Sequence, residues 1–386
     1  MNMDLPKTAD AVVVGGGIVG VAIARQLARD GLKTVLLEKG AFGGGVSGAS
    51  LACLGTHMHN LDELPVLIDA CRAWKELAAD LGDPFEYQNC GQLRFIMRDP
   101  EIAVAEHWIA GETKFGLAPE LLGPEEVRSI EPLMTGPILA ASWSAEAATV
   151  NPFLAVRALL ADGKRHGLSA FHSVPVLGFL DDGDSVAGVQ VPSGTVSSPN
   201  VVIAAGPWSS RLAAAAGIRI PIKSRQAQCL ASMRQSPSVR TVVGACESAG
   251  GVESGYTQIQ QARSGQILFN TVIAPKEVPP NREDCVNEVP LDFVRDSIQT
   301  LTTLFPSLRH IPLLRSWVRF EATTPDDRFL TGNLVRPGLM IAAGDNGTGF
   351  CRALFMAGLI SRMLRRLDPG AFAFLYDPAR FSELRA

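Results

Sequence analysis

AVVVGGGIVGVAIARQLARDGLKTVLLEK, residues 11–39, carries the strongest signal in the chain. Ala11–Val14 is a continuous apolar run of the kind that forms a buried parallel strand. Glycines break it, and from Ile18 to Arg29 the apolar residues Ile18, Ala22, Ile23 and Leu27 recur at helical spacing, with Arg25, Gln26 and Arg29 on the other face. Gly31 ends that helix, and Thr34–Leu37 is a second apolar strand that stops at Glu38. Strand, glycine turn, helix and strand within about 30 residues make a mononucleotide-binding βαβ unit. At the turn, Gly15, Gly17 and Gly20 have G-x-G-x-x-G spacing. Gly15 permits the tight turn. Gly17 lets the backbone approach a pyrophosphate at the positive end of the helix, where Ile18 and Val19 follow, and Gly20 lets helix and strand pack closely. Glu38, 18 residues past Gly20, stands where a carboxylate accepts hydrogen bonds from both ribose hydroxyls.

With 386 residues the chain exceeds the size at which one core stops growing, so two domains are expected. Hydrophobic residues at 47% and charged residues at 19% place it among packed globular proteins and exclude disorder as the main state. Lys and Arg number 35 against 39 Asp and Glu, a net charge of −4, which offers no basic field to nucleic acid or an anionic membrane. The cysteines Cys53, Cys71, Cys90, Cys229, Cys246, Cys285 and Cys351 lie singly, which argues for a reducing compartment and against a zinc or iron–sulfur site. His107, His166, His172 and His310 have no metal-ligand spacing, so no metal is expected. The start, with Asp4, Lys7 and Asp10, is not a signal peptide, and no uncharged stretch reads as a membrane span. A cytoplasmic location is expected.

Beyond the opening unit, Gly43–Ser50 is a glycine-rich loop and Leu64–Leu81 a helix. Short runs at Gln92–Ile96, Ile138–Trp143, Thr257–Gln260 and Gln266–Phe269, separated by Gly, Pro and Ser, predict an antiparallel sheet. Pro152–His166 reads as a helix and Val201–Ala205, before Gly206, as another buried strand. Near the end, the Gly338–Gly344 strand runs into Asp345-Asn-Gly-Thr-Gly-Phe350, followed by a helix over Ala353–Leu367. A dehydrogenase of the NAD type keeps its fingerprint and catalytic residues in a compact block. A second glycine turn at the far end of the chain fits a longer cofactor, FAD, that touches two distant segments.

These marks together resemble the D-amino-acid oxidase (DAO) family of flavoproteins, and more closely its glycine oxidase and sarcosine oxidase members. The resemblance rests on residues 11–40, SGASLACLGTH at 47–57, TVNPFLAVRAL at 149–159, VVIAAGPWS at 201–209, TPDDRFLTG at 324–332 and LMIAAGDNGTGF at 339–350. It implies an α/β fold. A Rossmann-type FAD-binding domain over 1–85, 148–222 and 326–386 would accompany an α+β substrate domain, built on an antiparallel sheet, over 86–147 and 223–325. Noncovalent FAD is implied, held by Gly15, Gly17, Glu38 and Lys39 at the adenosine and pyrophosphate. Ser47 and Ser50 would lie near the pyrophosphate or ring, Val174 by its backbone at the adenine, and Gly206 at a turn beside the cofactor. Gly344, Asp345, Gly347, Gly349 and Phe350 would bring backbone N–H groups to the pyrimidine end of the flavin, where they stabilise the anionic reduced ring.

Departures from the family bear on the chemistry. Where sarcosine oxidases attach the flavin through a cysteine, this chain has Arg319, which argues against a covalent link. Where glycine oxidases anchor the substrate carboxylate with an arginine, it has Glu321, and where sarcosine oxidases use a lysine it has Cys351, followed by Arg352. Either Arg319 or Arg352 takes over the carboxylate, or the substrate presents a cation or an amine proton to Glu321. Tyr256 corresponds to a tyrosine that lines the substrate side in glycine oxidases; a phenol capping the sheet edge is the equal alternative. His57 and His59, on the loop after SGASLACLG, would serve to deprotonate an ammonium or would be solvated loop residues. Trp74, Trp143, Trp208 and Trp317 read as core, and Asp326-Asp327 as a structural turn.

The expected reaction is hydride transfer from the Cα–H of an amino acid or amine to flavin N5, giving an imine that water hydrolyses to an oxo acid. The lysine that activates oxygen in sarcosine oxidases is replaced by Leu268 or Phe269, which favours a dehydrogenase. The chain is also similar to the β-type subunits of multi-subunit sarcosine, proline or opine dehydrogenases. That likeness implies partner subunits carrying an iron–sulfur centre or a second flavin, through which the chain would be peripheral to a membrane. The alternatives are a 2-hydroxy-acid oxidoreductase on the same fold and a flavin-binding subunit without catalysis.

Overall fold

The computed structural model describes residues 5–246, 256–273, 277–278 and 288–381. Asp4 and Cys285 lie outside them. The opening unit forms as β1 (Ala11–Val14), α1 (Ile18–Arg29) and β2 (Thr34–Leu37). Every residue of β1 and β2 is buried, as their unbroken apolar runs require of strands covered on both faces. They sit inside a six-stranded sheet in the order Leu330–Asn333, Leu339–Ala343, Val201–Ile203, β1, β2, Ser169–Phe171. Neighbours run parallel except the edge strand Leu330–Asn333. Ala11, Val13 and Leu36 pack against α1 and the helices Leu64–Leu81, Pro152–Arg165 and Gly349–Leu364. Val12, Val14, Val35 and Leu37 point the other way, onto a meander of Gly178–Asp182, Ser185–Val191 and Gly194–Ser197. Asp162 fixes α1 by accepting from Arg25 Nε at 2.6 Å and Arg29 Nη1 at 3.0 Å. The glycine turns thus lie at the carboxyl ends of parallel strands, where open α/β sheets bind ligands.

A nine-stranded sheet forms the other half. From one edge its main path runs Leu313–Thr323, Lys223–Arg234, Gln266–Val272, Tyr256–Gln261, Val242–Ala245, Gln92–Ile96, Ala140–Ser144, Glu120–Leu122, and Glu277–Val278 also pairs with Lys223–Arg234. Among the described residues the expectation of an antiparallel sheet holds for every pair but one: Val242–Ala245 runs parallel to Gln92–Ile96. One face buries Leu230, Ile259, Ile267 and Phe269 against Phe293, Leu301 and Phe305 of the Leu291–Leu304 helix region. Short strands Cys53–Leu54, Ala148–Thr149 and Gln88–Asn89 form a separate small sheet. The last long helix begins at Gly349 and ends at Leu364, starting closer to the glycine turn than the apolar spacing suggests, because the turn itself feeds it. Among the described residues no helix is long and apolar enough to cross a membrane.

Candidate active site

The fingerprint turn is built by close backbone approach. Gly15 has φ +117°, and a Cβ there would meet the Ala204 carbonyl oxygen at 2.3 Å, so only glycine lets β1 run this close to the strand Val201–Ile203. Gly17 is the N-cap of α1 and offers no side chain, and the first turn of the helix carries no acidic residue. Ser47 Oγ accepts from the Ile18 N–H at 2.9 Å, while the N–H groups of Val19 and Gly20 have no partner within the helix by its geometry. Donors and dipole therefore face outward, as a pyrophosphate requires.

Glu38 accepts from the Gly16 N–H and the Gly40 N–H, each at 2.6 Å, one on each oxygen. Both bonds orient the carboxylate at the tip of β2 and leave lone pairs for ribose hydroxyls. Beside it the Val174 N–H is committed to the Glu38 carbonyl at 2.8 Å, so the Val174 carbonyl is what remains for an adenine. Lys39 lies with its Nζ 3.8 Å from the centre of the Trp208 ring, two residues past Gly206, whose φ is +53°. The residues present fit FAD at this end.

A cavity of about 350 Å³ continues from Ile18, Ser47 and Ser50 to the face of the nine-stranded sheet that carries Arg94, Gln258, Asn270 and Gln228, and to the turn Asp345–Arg352. Asn346 holds the turn: its side chain accepts from the Thr324 N–H at 2.9 Å and donates to the Gly344 carbonyl at 2.7 Å. Gly347, at φ +82°, is where a Cβ would come within 2.8 Å of Glu321 Oε2. Asp345 lines the cavity against Gly349, and burial together with the Glu321 charge pushes its carboxyl up to about 7.

Glu321 does face the cavity, but its charge is already matched. Arg225, its register partner on the adjacent strand, donates from Nε to Glu321 Oε1 at 2.6 Å, and both side chains are buried. Burial raises the Glu321 carboxyl above its usual range against the pull of Arg225. Arg225, rather than Arg319 or Arg352, is the arginine that pairs with Glu321. Tyr256 lines the cavity beside this pair, its phenol held protonated by burial and by Glu321.

Arg352 also lines the cavity, with its guanidinium bonded to Thr348 Oγ1 and, at 3.1 Å, to Glu63 Oε2, which places it in a structural network with Tyr376. Arg319 is exposed and donates to the Val318 carbonyl at 2.8 Å, away from the cavity lining. Nor is His57 a loop base. It is fully buried between Glu112, at 2.8 Å from Nδ1, and Ser142, at 2.7 Å from Nε2. His59 is the histidine that lines the cavity, kept neutral by burial and by Arg352 and Arg94.

Of the tryptophans, Trp74 is wholly core, whereas Trp317 lines an adjoining cavity and donates to the Ala49 carbonyl at 3.0 Å. Asp326 is structural, bonded to Arg380 Nε at 2.7 Å. Among the described residues no cluster of three or more His, Cys, Asp or Glu could hold a metal. Sequence reasoning passed over Arg94 and Arg225, because neither belongs to a motif and each acquires its position only through cross-strand register.

Comparison with known proteins agrees with this geometry. The chain is 24% identical to a glycine oxidase of Bacillus subtilis (strain 168) over 366 residues, 92% of each chain. It is 25% identical to a sarcosine oxidase subunit beta of an Arthrobacter species over 333 residues, 84% of this chain and 79% of the relative. Among solved structures, an L-proline dehydrogenase from P. horikoshii superposes with a TM-score of 0.89 at 27% identity, covering 99% of this chain and 100% of that one. The family model for FAD dependent oxidoreductases of the DAO type matches residues 10–363, and the chain belongs to that family.

Proposed function

We propose that this FAD-dependent oxidoreductase oxidises the C–N bond of an amino acid or secondary amine. The observation that carries the reading is the cavity that joins the N-terminus of α1 to the polar face of the nine-stranded sheet, with Asp345, Tyr256 and the Arg225–Glu321 pair on its wall. Bound noncovalently, FAD supplies the two-electron acceptor for the hydride that leaves the substrate Cα. On this reading the α1 terminus and Ser47 hold the pyrophosphate, Glu38 holds the ribose, and the N–H groups of Gly347, Gly349 and Phe350 face the flavin. Asp345, with its carboxyl near neutrality, takes the proton from the substrate ammonium, so that the nitrogen lone pair is free to form the C=N bond as the hydride departs. Tyr256, protonated, donates a hydrogen bond that orients the bound substrate. Water then hydrolyses the released imine to the oxo product.

Two features support a dehydrogenase that passes electrons to a partner subunit. Among the described residues that line the cavity there is no lysine, and of the two residues at the expected lysine position Leu268 lines the adjoining cavity and Phe269 is core. A relative is named as a β subunit, which supports partner subunits for this chain; an iron–sulfur centre or second flavin on such a partner would take the electrons onward. A screen of amino acids and secondary amines, with oxygen alone and with an artificial electron acceptor, tests the reading. Turnover is expected with the artificial acceptor and little with oxygen. Turnover of 2-hydroxy acids alone would move the function to C–O oxidation, and no turnover with any donor would leave a flavin-binding subunit.

A further inference from the structure

We infer that Arg94 anchors the carboxylate of the substrate, so that the donor is an amino acid and not a simple amine. The inference rests on the C–N oxidation reading and assigns the end of the substrate that the reading leaves free. Three guanidiniums line the cavity, those of Arg94, Arg225 and Arg352. Arg225 is neutralised by Glu321 at 2.6 Å and Arg352 by Glu63 at 3.1 Å. Arg94 has no carboxylate within salt-bridge distance among the described residues, and its Nε is buried without a hydrogen-bond partner. An unpaired guanidinium in a partly desolvated cavity is costly, and an incoming carboxylate relieves it through paired charge-assisted hydrogen bonds.

The fold makes room for this arginine. Arg94 is in register with Gly244 on the neighbouring strand, and a Cβ on Gly244 would fall 2.7 Å from Arg94 Nη1. The guanidinium therefore lies over a bare stretch of backbone. Gly244 is in turn opposite Gln258, and Gln258 opposite Asn270, so a cation and two amides form one row across the cavity face. His59, held neutral by burial, Arg352 and Arg94, adds no charge of its own to this end. The acidic groups Glu321, on the Leu313–Thr323 strand, and Asp345, in the turn after Leu339–Ala343, stand instead around Gly347 and Gly349. An amino acid placed with its carboxylate on Arg94 directs its ammonium away from the cation.

The test uses the flavin-loaded protein and its Arg94→Gln, Arg94→Lys and Gly244→Ala variants. Benzoate and acetate are titrated in while the flavin absorbance and the heat of binding are followed, with flavin content and thermal unfolding checked for each variant. Benzoate or acetate should perturb the wild-type spectrum, Arg94→Gln should weaken that binding by about 10- to 100-fold, Arg94→Lys should weaken it less, and Gly244→Ala should weaken it by displacing the guanidinium. In turnover, Arg94→Gln should raise KM for the amino acid far more than it lowers kcat, and the decarboxylated amine of the same donor should be a poor substrate of wild type. Equal carboxylate binding by wild type and Arg94→Gln, or no binding of either probe by wild type, overturns the inference. If amino acids reduce the flavin of Arg94→Gln as well as that of wild type, Arg94 is not the anchor although C–N oxidation stands. If carboxylates bind through Arg94 but no amine or amino acid reduces the flavin, the anchor stands and C–N oxidation fails.

Discussion

Glu38 and Asp345 show how a single carboxylate acquires its task from its surroundings. Two backbone N–H bonds at 2.6 Å aim Glu38 outward from β2. Replacing it by alanine should weaken FAD binding by about 1–3 kcal/mol, the cost of unpaired ribose hydroxyls, as measured by flavin titration of the apoprotein. Unchanged affinity would remove Glu38 from the ribose site. Asp345 is protonated more readily in the folded chain than in the unfolded one, its carboxyl lying at about 7. The native state therefore binds the extra proton, so this residue's contribution to stability is complete in acid and is lost as pH rises from about 4 to 7. In denaturant titrations of the apoprotein at pH 5 and pH 8, Asp345→Asn should flatten that decline and gain on wild type at the higher pH. An unaltered slope would show that Asp345 titrates as an ordinary surface carboxylate.

At the scale of elements, the site depends on register between strands far apart in sequence. Arg225 and Glu321 are separated by 96 residues and meet because Lys223–Arg234 pairs antiparallel with Leu313–Thr323. Removing only the cation, as in Arg225→Met, leaves a buried carboxylate without its partner and should cost about 3–5 kcal/mol in urea unfolding. The loss should shrink toward acid pH, where Glu321 protonates. Arg225→Met combined with Glu321→Met should recover most of it, and a double variant as unstable as the single one would contradict this account of the pair. The same dependence explains what the sequence concealed. The β1–α1–β2 unit is local, and its glycines and periodicity are readable within 29 residues. Arg94 and Arg225 stand in short strands without a motif, and only the pairing Arg94 with Gly244 and Arg225 with Glu321 shows what they face. His57 misled for the converse reason: a histidine in a polar loop stretch turned out to be fully enclosed by a helix carboxylate from Glu112 and a strand hydroxyl from Ser142.

Across the whole molecule, the two glycine turns converge because the strands before them, β1 and Leu339–Ala343, flank Val201–Ile203 and run parallel to it in one sheet. That convergence was legible from the repeat of strand, turn and helix at both ends of the chain, whereas the substrate face of the other sheet was not, since its polar row alternates with core residues on several separate strands. We propose that the chain divides into a cofactor domain over 1–85, 148–222 and 326–386 and a substrate domain over 86–147 and 223–325. With Arg319 exposed outside the cavity, the flavin should leave the protein on acid or heat denaturation; colour retained in the washed pellet would show a covalent link. The central claim is that one cavity joins a bound flavin to the Cα–H bond of an amine donor. Its most direct test is anaerobic mixing of the flavin-loaded protein with the best amino acid from the substrate screen, protiated or deuterated at Cα, while the oxidised flavin absorbance is followed. Bleaching of the flavin, slowed several-fold by deuterium at Cα, is the result this account predicts; a flavin that stays oxidised with every amino acid and amine would contradict it.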